Sequence, residues 1–94
     1  MIKGKYIAIT GRLLFYTRRE AFDHICCRGG IPQSSVTRDT DYLVIGSYRD
    51  GVLIRGKSNK QLYAEKLSIQ GSDIQVITDA EFTVLLWNAP LINE

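Results

Sequence analysis

Ahead of three helical patterns in this chain, a residue with a side-chain hydroxyl is followed, three places on, by Glu or Gln: Thr17-Arg18-Arg19-Glu20, Ser58-Asn59-Lys60-Gln61 and Thr78-Asp79-Ala80-Glu81. In such a pair the hydroxyl accepts the amide three residues on. The acid or amide side chain reaches back to the amide of the hydroxyl residue, so two otherwise orphaned donors are satisfied together. The signature marks where a helix begins. Three beginnings, separated by short apolar runs, restrict the chain to alternating strands and helices.

The runs between them read as strands. Tyr6-Ile7-Ala8-Ile9-Thr10 and Tyr42-Leu43-Val44-Ile45 are apolar without a helical period, the pattern of parallel strands covered on both faces. Pro32-Gln33-Ser34-Ser35-Val36 is a weaker strand, and its opening Pro places it at a sheet edge, where a missing donor is harmless. Ile74-Gln75-Val76-Ile77 is the fourth. Thr37 to Asp41 reads as a polar turn, and Ser47 to Gly56 as a surface loop.

The helices have apolar faces at Ala21, Phe22, Ile25 and Cys26, at Leu62, Ala64, Leu67 and Ile69, and at Phe82, Leu85 and Leu86. Gly29 or Gly30 stops the first, Gly71 stops the second, and Pro90 limits the third. The order is β-α-β-β-α-β-α. Right-handed crossovers on a parallel sheet then predict a three-layer α/β fold, four strands in the order 2-1-3-4 with helices on both faces. Residues 1–88 form the domain and 89–94 a C-terminal tail.

The 94 residues suffice for one small domain, and 45% hydrophobic content allows it a core. No apolar stretch approaches the ~20 residues of a membrane span, and Met1 to Lys5 has no apolar region behind it to make a secretory signal. Cys26 and Cys27 are adjacent and cannot staple distant segments; Cys26 reads as core and the pair as reduced thiols. A cytoplasmic (bacterial nucleoid) or nuclear setting follows. The net charge of +2 fits a protein that meets an anion locally rather than along a track of nucleic acid.

The candidate site lies where the strand order reverses, beyond the carboxyl ends of the first and third strands. Thr10 supplies a hydroxyl there and Gly11 a backbone that a ligand can approach closely. Lys60, at the start of the second helix, adds a mobile charge, and Arg18, at the start of the first, a planar fork of donors. Arg18, Arg19 and Lys60 all oppose a helix dipole, a cost of ~0.3–1 kcal/mol each that an anion would offset. Read singly, Thr10-Gly11 also fits a plain strand end, and the cations fit a solvated first turn. No catalytic group accompanies them. There is no Cys-x5-Arg constellation, no Walker loop and no dinucleotide fingerprint. His24 has no partner at metal-ligand spacing, and no cofactor or metal is expected.

Taken together these residues resemble the BRCT domain. The likeness runs from about Ile2 to Trp87. It is carried by Gly4-Lys5, Thr10-Gly11, Arg18-Arg19-Glu20-Ala21, Gly29-Gly30, Ser35-Val36-Thr37, Thr40 to Gly46, Gly56-Lys57 and Glu81-Phe82. The chain looks more like the single domains of NAD-dependent DNA ligases, replication factor C large subunits and bacterial exonuclease-associated proteins than like tandem repeats. Many members have Trp at the position of Phe82 and Cys or Ser four residues later; here that later position is Leu86.

The resemblance implies a non-catalytic module of a DNA replication or repair protein. Thr10, Gly11, Arg18 and Lys60 would hold a 5′-phosphate at a DNA end or nick, with Arg12, Arg19 and Lys57 at the neighbouring backbone. The alternative it implies is a protein-interaction module that binds a phosphoprotein or docks a partner. In either case the chain would be attached to, or work with, a DNA-processing enzyme such as a ligase, polymerase or exonuclease.

Overall fold

The two apolar runs that water rejects most strongly lie side by side at the centre of the sheet. A computed structural model describes residues 2–46, 48–49, 52–53 and 59–91, the side chains of 48–49, 52–53 and 59–62 excepted. The elements are β1 (Tyr6–Thr10), α1 (Arg18–Cys27), β2 (Ile31–Gln33), β3 (Tyr42–Ile45), β4 (Tyr48–Arg49), β5 (Val52–Leu53), α2 (Asn59–Ile69), β6 (Gln75–Thr78) and α3 (Asp79–Asn88). Four strands form a parallel sheet in the order β2-β1-β3-β6, with β6 as the fourth strand of the expected 2-1-3-4 arrangement. The segment expected to be a plain loop contains β4 and β5, a two-residue antiparallel pair. The edge strand β2 is shorter than its sequence pattern and begins one residue earlier, at Ile31.

The pleat sorts side chains between two layers. Ile7, Ile9 and Val44 face α1 and α3, where they meet Ala21, Ile25, Phe82 and Leu86. Ala8 and Leu43 face the other way, toward Ala64 and Leu67 of α2. Phe82, Ile7, Ile9 and Leu43 have no accessible surface. Burial of each such side chain contributes about 1.5–3 kcal/mol.

The helix starts follow the sequence. Thr17 Oγ1 accepts the Glu20 amide at 3.1 Å, and Glu20 Oε1 accepts the Thr17 amide at 2.8 Å. Thr78 and Glu81 repeat the pair at the same distances. The Ser58 cap lies outside the described residues. At the end of α1, Gly29 has φ 83°. Its amide donates to Cys26 O at 3.0 Å, and that of Gly30 to Ile25 O at 2.9 Å. This is a left-handed helix stop. A Cβ on Gly30 would lie 2.6 Å from Ile25 Cγ2, so the second glycine serves packing.

Two expected core residues are on the outside. Cys26 is exposed, as is Cys27. It lies about 100° round the helix from Ile25, beyond the stripe that Ala21 and Ile25 press onto the sheet. Ile69 is 88% exposed, because it is turned about 200° from Leu67. Conversely Arg28, which closes α1, is buried. Its Nε donates to Leu86 O at 2.7 Å and its Nη1 to His24 O at 3.1 Å. Its guanidinium also lies over the Trp87 ring, 5.7 Å from the centroid. The end of α1 is thereby locked to the end of α3.

Candidate functional site

Parallel register brings three strand ends into one row. Thr10 stands opposite Ile45, and Ile45 opposite Thr78. Thr78 is also the cap of α3, and α1 opens at Arg18, one short loop beyond Thr10. The amino ends of these helices, each with a partial positive charge, therefore point toward the carboxyl edge of the sheet.

The corner at Thr10 is built by glycine. The Gly46 amide donates to Thr10 O at 2.7 Å. Gly11 has φ 79°, and a Cβ there would lie 2.9 Å from Gly46 O. A Cβ on Gly46 would in turn lie 2.5 Å from both N and C of Arg12. The two chain segments touch main chain to main chain, and Gly11 is left exposed above them.

The predicted residues flank this corner from two sides. Thr10 is 6% exposed and shares the sheet face of Ala8, which is the α2 side. Arg18 comes from the α1 side, where its Nη1 donates to Ile9 O at 2.8 Å. Arg12 and Arg19 are exposed. Lys60 is the second residue of α2; its side chain, like the whole of Lys57, lies outside the described residues. The structure thus brings Thr10, Gly11, Arg12 and Arg18 to one corner.

Beside the corner lies an open groove of about 510 Å³, lined by Arg12, Arg18, Leu14, Phe15 and Tyr16 among others. The segment that lines it is held by a residue whose sequence signal is only a helix start. Asp79 is 5% exposed, and its Oδ2 accepts the Leu14 amide at 2.6 Å. Its Oδ1 is buried with no hydrogen-bond partner among the described residues. An acid in the first turn of a helix was visible in the sequence, but its partner 65 residues away was not.

Two guanidinium groups, a bare glycine backbone and converging helix amino ends can hold an anion. Among the described residues, no cysteine accompanies them. Cys26 and Cys27 end α1, roughly 12–14 Å along its axis from Arg18. Among the described residues no three His, Cys, Asp or Glu side chains are placed to hold a metal ion, and no helix is long and apolar enough to cross a membrane.

No family model matches the chain. It is similar to a segment of several DNA ligases. Over 90 residues, 96% of the chain, it is 31% identical to a DNA ligase of Leifsonia xyli subsp. xyli. Over 89 residues, 95% of the chain, it is 33% identical to one of Endomicrobium trichonymphae. A stretch of 45 residues, 48% of the chain, is 47% identical to the DNA ligase of Halothermothrix orenii. These matches cover 10%, 11% and 7% of the ligases, so the chain spans about a tenth of the length of the relatives it matches.

Proposed function

We propose that this chain is a BRCT-like, non-catalytic module that holds the 5′-phosphate of a DNA end or nick, as part of or beside a DNA-processing enzyme. The observation that carries the reading is the Thr10–Gly11 corner with Arg18 bound to the adjacent Ile9 carbonyl. There a hydroxyl on one face of the sheet, an exposed main chain and an oriented cation on the other face meet at one strand end. The similarity to a segment of DNA ligases supports a DNA substrate over other phosphates.

In this reading the Thr10 hydroxyl and the Gly11 backbone receive the phosphate oxygens. Lys60 approaches from the amino end of α2, which has no acid in its first turn to compete for it. Arg18 is oriented before the ligand arrives, which lowers the ordering cost of binding. Arg12 and Arg19 meet neighbouring backbone phosphates, contacts that position the protein without reading sequence.

The test is a titration of labelled duplex with and without a 5′-phosphate, repeated with Thr10→Val and Lys60→Glu. The wild type should prefer the phosphorylated duplex, and each variant should lose that preference. Equal binding of both duplexes by all three proteins would refute the assignment. A phosphoserine peptide that displaces the DNA would instead favour the interaction module.

A further inference from the structure

The loop between β1 and α1 is pinned on both sides of an aromatic ring that it leaves uncovered. Leu13 is 6% exposed in the core, and the Leu14 amide is held by buried Asp79 at 2.6 Å. Tyr16 packs edge-on against Phe82, with ring centroids 6.2 Å apart. Between these anchors Phe15 is 66% exposed. Its only ring contact among the described residues is an edge-on one to Tyr16, at 6.5 Å. A large apolar side chain carried on an anchored backbone with its surface in water is available for stacking at little backbone ordering cost.

Phe15 shares its groove with Arg12 and Arg18. An apolar peptide side chain would use the ring but bring no anion to either guanidinium group. A nucleotide uses both, because its flat base and its phosphates are about one sugar apart. The groove volume, about 510 Å³, lies within the ~300–1,000 Å³ range of small-ligand sites. The acid on the groove wall, Glu20, has one oxygen engaged by the Thr17 amide at the helix start.

We propose that this groove receives the terminal nucleotide of a DNA end, with Phe15 stacked on the face of its base and Arg12 and Arg18 at the flanking phosphates. The inference rests on the phosphate reading for the choice of a DNA end, and on the groove itself for the stack. It assigns the β1–α1 loop a role in distinguishing an end, where a base face is bare, from continuous duplex, where every face is covered.

The test compares blunt duplexes whose 5′-terminal nucleotide is intact or abasic, each with a 5′-phosphate or a 5′-hydroxyl, by fluorescence anisotropy. Wild type should bind the intact end roughly five- to hundredfold more tightly than the abasic one, the range a single base–aromatic stack supplies. Phe15→Ala should abolish that ratio and Phe15→Trp should keep it. A wild-type ratio of one, or an unchanged ratio in Phe15→Ala, would overturn the platform even if the phosphate preference held. The converse result, no phosphate preference but a Phe15-dependent ratio, would remove the phosphate reading and retain the stack. Phe15 lies outside the core, so a circular-dichroism melt should match wild type. If Phe15→Ala failed to fold, the wild-type ratio alone would decide.

Discussion

Asp79, the first residue of α3, takes the Leu14 amide at 2.6 Å across 65 residues of sequence. One carboxylate therefore favours a helix start by its charge and fixes the loop that borders the candidate site. Removing it leaves the Leu14 amide without its partner. Asp79→Ala should cost about 1–3 kcal/mol, read as a lowered urea midpoint at unchanged slope. The exposed Asp73→Ala should change stability by less than about 0.5 kcal/mol.

Glycine at position 46 is a steric requirement. A methyl group there meets Arg12 N and C at 2.5 Å, and neither is the end of a flexible side chain. Gly46→Ala should cost about 1–3 kcal/mol, measured by chemical denaturation, and should also weaken binding of phosphorylated duplex because the corner must shift. Gly4→Ala is the control: it has φ 75° but open space around the added carbon, so it pays only the left-handed strain of roughly 1–2 kcal/mol and leaves binding unchanged.

Arg28 is a structural cation. It serves the carbonyls of Leu86 and His24 from a buried position. Arg28→Ala should destabilise the domain by about 1–3 kcal/mol, and Arg28→Lys should restore only part of this because a single ammonium lacks the planar fork. Thermal melts of the three proteins, with phosphorylated-duplex affinity as the second readout, separate this role from binding. Affinity measured below the melting range should stay near wild type.

Arg18 should behave in the opposite way. Its contact is to an edge carbonyl, so Arg18→Gln should cost only about 0.5–1.5 kcal/mol of stability. If it neutralises one phosphate, the slope of log K against log salt should fall in magnitude by about 0.9. Affinities at several salt concentrations from 50 to 200 mM, roughly the range over which such slopes are read, provide the measurement. An unchanged slope would place Arg18 outside the interface.

Much of the layout was legible because it depends on local chemistry. Thr17 with Glu20 and Thr78 with Glu81 form their reciprocal caps as spacing alone predicts. Pro32 sits in an edge strand, where its missing amide breaks no ladder. The less legible features were those whose partners are remote. Cys26 and Ile69 satisfied an apolar composition but not the angle at which their helices meet the sheet. Arg28 has no local signal of burial, because its burial depends on carbonyls from two helices.

The sequence by itself determined where each helix starts, which runs become strands and, through the handedness of crossovers, the order of the sheet. All of these are set by forces acting within a few residues or by chain chirality. Only the tertiary structure decided that Gly46 would touch Arg12, that Asp79 would hold Leu14 and that Phe15 would be left bare beside two cations. Those contacts join segments that meet only after the sheet has closed, and close packing then admits one residue where the local pattern would admit many.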